Sequence, residues 1–350
     1  MEMLTITGAA NRPDVVRVDF RAGGAFVLRE GIVVDGGSGT QADTLLLRGT
    51  AGADTIDAET GFAVLSGLRV VFSDVERLTL DGGSGDDTYR ASGLSANTTI
   101  VDAMGPDTLD FSKAGGGIRI DLNRTLGQKQ YIFASSGNTL ALKGTLESLI
   151  GTESADWIRG NAANNSIEGR GGDDTVFGGA GNDTLDGGTG DDWLYGEAAS
   201  DNLYGGPGNN VLLGGAGNDL LDVNPDVTSG TERNLLIGGQ GADTLRGGSG
   251  VEILIGGGTK YGSQKAALDL ILKEWSSESS FEVRCTNLQT GIADSANPKL
   301  GNIQLARTTT MNRRAAVPDD AASDVLLGGL GSDWFFDFPN DTTDRGPEDR

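Results

Sequence analysis

Gly178-Gly-Ala-Gly-Asn-Asp-Thr-Leu-Asp186 is followed at once by Gly187-Gly-Thr-Gly-Asp-Asp-Trp-Leu-Tyr195. The same nine-residue frame extends in both directions. Repeats begin at Gly151, Gly160, Gly169, Gly178, Gly187, Gly196, Gly205 and Gly214, and again at Ser229, Gly238 and Gly247 after six extra residues, Val223 to Thr228. The eighth position is Ile158, Ile167, Val176, Leu185, Leu194, Leu203, Leu212, Leu221, Leu236, Leu245 and Leu254, so it is always aliphatic. The sixth is Asp156, Asp174, Asp183, Asp192, Asp201, Asp219 or Asp243 in seven repeats, with Asn165, Asn210, Asn234 and Glu252 in the others.

The positions divide by physical role. The first six residues are rich in Gly, Asn and Asp, which tolerate positive φ and form tight turns. The last three place an aliphatic side chain between two outward ones, as in a very short strand. One repeat buries nothing by itself, so the structure must be an array. Two repeats make one coil, and coils stacked at ~4.8 Å bury the aliphatic positions of two facing sheets. Every second repeat lies on the same edge. Odd repeats bring Asp156, Asp174, Asp192, Asn210, Asn234 and Glu252 into one file; even repeats bring Asn165, Asp183, Asp201, Asp219 and Asp243 into another. Carboxylates stacked this closely repel unless a cation lies between them. Carboxylates plus exposed turn carbonyls form the hard oxygen shell of Ca²⁺, whereas Mg²⁺ wants a small octahedron and keeps its waters. The candidate ligands are those seven aspartates with the turns at Gly169, Gly171, Gly178, Gly179, Gly181, Gly187, Gly188, Gly190, Gly205, Gly214, Gly215 and Gly217.

This pattern resembles the RTX, or haemolysin-type, calcium-binding repeat, G-G-x-G-x-D-x-U-x with U aliphatic. The resemblance implies a right-handed parallel β-roll, calcium in the turns, and export as an unfolded chain by a bacterial type I pathway. It covers Gly151 to Gly258. A short further match, Gly328-Gly-Leu-Gly-Ser-Asp333-Trp-Phe-Phe336, adds Asp333 as a candidate ligand. Weaker copies are Gly49-Thr-Ala-Gly-Ala-Asp54-Thr-Ile-Asp57 and Gly82-Gly-Ser-Gly-Asp-Asp87-Thr-Tyr-Arg90.

Composition excludes several functions. The chain of 350 residues has 57 glycines, 50 acidic and 27 basic residues, and a formal charge of −23. Such a chain does not track nucleic-acid phosphates or an anionic lipid surface. No apolar stretch approaches the ~20 residues of a membrane helix. Histidine is absent. That removes Ser-His-Asp and Cys-His catalysis and histidine-ligated zinc. Cys285 is a single cysteine and forms no internal disulfide. The N-terminus, Met1-Glu2-Met3-Leu4-Thr5-Ile6, does not read as a signal peptide.

The chain divides into residues 1–150, an irregular strand-rich region; 151–258, the calcium-binding roll; 259–318, a helical capping insertion; and 319–350, terminal repeats and an acidic tail. The fold class is all-β, a parallel β-roll or solenoid with a small helical insertion near the C-terminus. In the first region Val15–Val18, Ile32–Val34, Thr44–Leu47 and Leu68–Phe72 read as strands. They make either wider rungs of a solenoid or a small β-sandwich. Asp54, Asp87, Asp107 and Asp156 follow at 33, 20 and 49 residues, so no strict period operates there. Ser263 to Trp275 reads as an amphipathic helix with Ala267, Leu268, Ile271, Leu272 and Trp275 on one side. Ser279 to Leu288 reads as a second helix.

The outward positions of odd repeats are Trp157 and Arg159, Thr175 and Phe177, Trp193 and Tyr195, Val211 and Leu213, Leu235 and Ile237, and Ile253 and Ile255, aromatic at first and then aliphatic. Such a face is a packing site or a partner site. Either another part of this chain covers it, with the helix at 263–275 over Leu235, Ile237, Ile253 and Ile255, or Trp157 and Trp193 meet a cell-surface glycan or protein. The function that follows is calcium binding by a secreted, extracellular repeat protein that folds on the ion, as a structural or adhesion module and not an enzyme. The rival reading makes the roll an accessory of a polysaccharide lyase or epimerase.

Overall fold

The structure is a computed structural model that describes residues 3–9, 12–20, 31–38, 40–94, 96–133, 137–223, 231–258 and 265–275, with short pieces between 277 and 343. It divides into two compact units, Met1–Arg170 and Gly171–Arg350.

In the second unit two parallel sheets alternate along the chain. One holds Thr175–Ala180, Trp193–Ala198, Val211–Ala216, Leu235–Gln240, Ile253–Gly257 and Trp334–Phe336. The other holds Thr184–Asp186, Asn202–Tyr204, Leu220–Asp222, Thr244–Arg246, Val325–Leu327 and Thr342–Thr343. Registers are in phase: Val176 faces Leu194, Leu194 faces Leu212, and Leu203 faces Leu221. Leu212 faces Leu236 across the inserted residues, so the insertion lengthens a turn without exchanging the edges. This is the expected parallel β-roll. Its core is the eighth positions, among them Val176, Leu185, Leu194, Leu203, Leu212, Leu221, Leu236, Leu245 and Leu254, all fully buried. Each contributes about 1.5–3 kcal/mol relative to exposure.

The first unit is built of wider parallel rungs, not a β-sandwich. One sheet runs Val15–Asp19, Thr44–Arg48, Arg77–Ser84, Asn97–Met104, Leu140–Lys143 and Leu126–Gln130. A second collects Leu4–Thr7, Ile32–Asp35, Leu68–Ser73, Phe62–Leu65, Thr55–Glu59, Thr88–Ala91, Thr108–Asp110, Ser148–Ile150 and Ser166–Glu168. Antiparallel insertions at Thr55–Ser73 and Leu126–Lys143 widen individual rungs. Thr44 therefore lies opposite Arg77, Arg77 opposite Asn97 and Thr98 opposite Leu140. The stack survives while the fixed sequence period is lost. The strict repeats from Gly151 begin within this unit.

The helix observed at Lys265–Trp275 buries Ala267, Leu268, Ile271 and Trp275 on Val211, Leu213, Leu235, Ile237, Ile253 and Ile255. The Trp275 indole N–H donates to the Val251 carbonyl at 2.8 Å. The insertion thus covers a sheet face and not an open end, because Thr244–Arg246 pairs onward with Val325–Leu327 after it. Residues 263–264 of the expected helix lie outside the described residues, as do 281–282 and 285–286 of the expected second helix. No helix among the described residues is long and apolar enough to cross a membrane.

Candidate metal centre

Each turn of the roll uses its sixth-position side chain twice. The backbone N–H of Asp183 donates to Asp201 Oδ1 at 2.8 Å, that of Asp201 to Asp219 Oδ1 at 2.9 Å and that of Asp219 to Asp243 Oδ1 at 2.9 Å. On the other edge Asp174 donates to Asp192 Oδ1 at 2.8 Å, Asp192 to Asn210 Oδ1 at 2.9 Å and Asn210 to Asn234 Oδ1 at 2.7 Å. Both files match the assignment made from parity of the repeats. The even file also runs on: Asp243 donates to Asp324 Oδ1 at 2.8 Å. Asp324 carried no repeat glycines that would have drawn attention to it. Its signal is the tripeptide Asp324-Val-Leu326. Asp333 lies outside the described residues.

With Oδ1 on the ladder, Oδ2 faces inward. In Asp192, Asp201 and Asp219 this oxygen is buried and accepts no hydrogen bond. It lies over the first glycine of its own repeat. A Cβ added at Gly187, Gly196 or Gly214 would clash with the Oδ2 of Asp192, Asp201 or Asp219. The same Cβ would also meet a carbonyl of the next rung, Gly205 O at 2.9 Å, Gly214 O at 2.5 Å or Gly238 O at 2.6 Å. The first glycine is therefore the floor of a cradle lined by one carboxylate and one carbonyl oxygen, and Gly178 repeats it with Asp183 and Gly196 O. Second and fourth positions turn the chain. Gly179, Gly181, Gly188, Gly190, Gly215 and Gly217 all have left-handed φ. In the repeat from Gly169, Gly172 takes that conformation, while Gly171 bridges Thr189. Glu197 and Ala199 adopt it at 76° and 78° without being glycine, a strain of roughly 1 kcal/mol or more each.

Burial without a counter-charge raises the carboxyl pKa values. Asp192 and Asp201 are pushed up to about 7 and Asp219 to about 6, chiefly by desolvation, with neighbouring aspartates adding to the first two. Among the described residues no three carboxylates converge on one point. A cation here would be held by carboxylate and backbone carbonyl oxygens together, a donor set that suits Ca²⁺. The bare oxygens, the cradle and the oxygen-only donor set all fit that ion.

Where asparagine replaces aspartate, the fit changes. Asn210 Nδ2 donates to Gly206 O at 2.8 Å, and Asn234 Nδ2 to Glu252 Oε1 at 3.1 Å. The amide hydrogens occupy the oxygens that a cation would need. The odd edge thus offers a cradle at Asp192 and closes toward its end.

The first unit carries the same device at irregular spacing. Asp54 donates to Asp87 Oδ1 at 2.8 Å, Asp87 to Asp107 Oδ1 at 2.6 Å and Asp107 to Glu147 Oε2 at 2.9 Å. Asp14 and Asp43 open a second file that ends on Glu76. Asp156 does not follow Asp107. It lies in another file, accepting from Ile118 at 2.7 Å. These residues share the form acid-x-apolar, as in Asp43-Thr-Leu45, Asp54-Thr-Ile56, Asp87-Thr-Tyr89, Asp107-Thr-Leu109 and Glu147-Ser-Leu149. That tripeptide, and not a fixed period, was the available signal.

A family model described as RTX calcium-binding nonapeptide repeat (4 copies) matches residues 46–62, 79–93, 150–185, 186–221 and 228–258. The chain carries RTX calcium-binding nonapeptide repeats. No curated protein matches it. The RTX repeats hold every cradle described in the second unit up to Asp243, together with Asp54, Asp87 and Asp156 in the first. Calcium is the ion of these repeats. Asp107, Glu147 and Asp324 lie outside the matched segments.

Of the two tryptophans read as partner contacts, Trp193 is 7% exposed, with the Lys265 ammonium 3.2 Å from its ring centroid. Trp157 is half-buried beneath the Arg119 guanidinium, 4.0 Å from its ring, in a cleft of about 250 Å³ with Asp121, Arg124, Gln130 and Tyr131.

Proposed function

We propose that this is a secreted protein that folds when its RTX repeats bind extracellular Ca²⁺, serving as a non-catalytic structural or adhesion module, and that it leaves a bacterial cell unfolded by a type I pathway. The observation that carries the reading is the set of buried carboxylate oxygens, at Asp192 on one edge and at Asp201 and Asp219 on the other, that accept no hydrogen bond. Residues 151–258 contain 17 acidic and 4 basic residues, a net of −13, so the apo chain repels itself and bound cations relieve it. Affinity of extracellular grade, on the order of 10⁻⁴ to 10⁻³ M per site, keeps the chain loose inside a cell and folded outside. The complete lack of histidine removes histidine-based acid–base catalysis.

Calcium titration with Asp183→Ala and Asn234→Ala tests the reading. Asp183→Ala lowers the number of ions bound. Asn234→Ala leaves that number unchanged, because its amide already satisfies the neighbouring oxygen. Equal losses from the two substitutions would sink it. Adhesion through Trp157 has the cleft beside Arg119, Gln130 and Tyr131 in its favour, since an aromatic ring flanked by polar groups suits a sugar face. A glycan array in calcium reads this directly; binding that survives Trp157→Ala unchanged argues against that surface.

A further inference from the structure

In the first unit one turn departs from the repeat in an informative way. Residues 82–87 read Gly-Gly-Ser-Gly-Asp-Asp, and residues 102–107, one rung on, read Asp-Ala-Met-Gly-Pro-Asp. Register fixes the correspondence. Val101 pairs with Asp81, the Gly85 N–H donates to Met104 O at 2.9 Å, and the Asp87 N–H donates to Asp107 Oδ1 at 2.6 Å. Asp107 is thus the sixth-position residue, and Asp102 pairs with Gly83, next to the glycine floor at Gly82. At Gly82 an added Cβ would strike the Asp87 carboxylate and come within 2.7 Å of the Tyr89 hydroxyl. The register shifts on both sides of Asp102, between Val101 and Asp102 and between Asp102 and Met104.

Asp102 brings a second carboxylate to the cradle. The Asp102 carboxyl lies within hydrogen-bond reach of Asp107 and takes an N–H from Thr145. Asp102 Oδ1 and Asp107 Oδ2 are both buried, and neither accepts a hydrogen bond. Asp107 is wholly buried. Asp87 Oδ2, one rung away, is likewise buried and bare. Two carboxylates cannot donate to each other while both are ionised, so facing oxygens of this kind require a proton or a cation between them. Asp102 remains partly open to solvent, which gives an ion a way in.

We propose that Asp102 and Asp107 together hold a divalent cation, with Ca²⁺ the best fit, at a site outside the matched repeats. Two carboxylates give it more ligand charge than a single-aspartate cradle, so it is a tighter site than those of the roll. Turn carbonyls and water complete the shell, as a large, adaptable coordination sphere permits. The site stands on its own geometry and does not depend on occupancy of the nonapeptide turns.

The test is equilibrium dialysis of the full chain against calcium, with Asp102→Asn, Asp102→Gly and Asp107→Asn. Asp107→Asn is expected to bind one ion fewer per chain. Asp102→Asn and Asp102→Gly are expected to weaken that one site by about tenfold, the loss of one charged ligand, while the remaining ions titrate as in the parent. If Asp107→Asn does not fold, the two substitutions at the half-buried Asp102 decide the matter. An unchanged count and unchanged affinities in both Asp102 variants overturn the proposal. So does an apo chain made more stable by Asp102→Asn with no change in calcium bound, for then the two carboxyls share a proton. Failure of the roll itself shows separately, as loss of the ions removed by Asp183→Ala.

Discussion

Withdrawal of calcium at pH 8 is expected to abolish most of the far-UV β signal of the second unit and its cooperative melting transition, and millimolar calcium is expected to restore both. Without the ion, Asp192, Asp201 and Asp219 must enter the fold as buried, bare carboxylates, and the high glycine content adds chain entropy to the cost. The pH dependence follows from the same residues. Their folded carboxyl pKa values stand at about 7, 7 and 6, above the ordinary value of 3.8. A raised folded pKa means that the folded state holds the proton more tightly. The stabilisation from protonation is complete below about pH 4 and is lost as pH rises through 6 to 7. A tenfold difference in proton affinity between folded and unfolded chain corresponds to about 1.4 kcal/mol, so these carboxyls together move apo stability by several kcal/mol across that window. The apo chain at pH 5 should accordingly recover part of the structure that it lacks at pH 8, and calcium should stabilise it less there. Circular dichroism and thermal melts in chelator at the two pH values check this. A chelated chain at pH 8 with an unchanged spectrum and Tm would refute the linkage.

Trp275→Ala is expected to cost about 3–5 kcal/mol in calcium-saturated protein, the range for truncating a buried aromatic side chain. The indole is fully buried on the sheet face, and its N–H bond to Val251 O leaves with it. The helix Lys265–Trp275 then loses its C-terminal anchor, and Ile253, Ile255 and Leu235 are exposed to water. Urea unfolding at saturating calcium measures the effect, and increased binding of a hydrophobic dye to the folded variant reports the uncovered face. A destabilisation below about 1 kcal/mol would mean that the sheet does not depend on this helix. Lys265→Ala provides the contrast. Its ammonium over Trp193 is half-exposed and contributes far less.

Much of the roll was legible in the sequence because its period is enforced locally. A turn that needs glycine at its first, second and fourth places, an acid at the sixth and an aliphatic residue at the eighth leaves the same mark in each copy. From that mark came the two sheets, the aliphatic core from Val176 to Leu254, and the division of aspartates between edges, which Asp183, Asp201, Asp219 and Asp243 bear out by their ladder bonds. The apolar outward stripe and the helix that covers it could be paired for the same reason: each exposed a face that had to be buried somewhere nearby. Tertiary structure alone decided the rest. Asp87, Asp107 and Glu147 align because insertions of different lengths are looped out of successive rungs, and looping leaves strand register intact while erasing sequence period. Asp324 joins its file from 81 residues beyond Asp243 by the same means. Asn210 and Asn234 became closed positions only when their amide hydrogens could be followed to Gly206 and Glu252. The pairing of Asp102 with Asp107 carried no sequence signal, because which carboxylates face each other depends on stacking, and stacking is set by pairing between residues far apart in the chain.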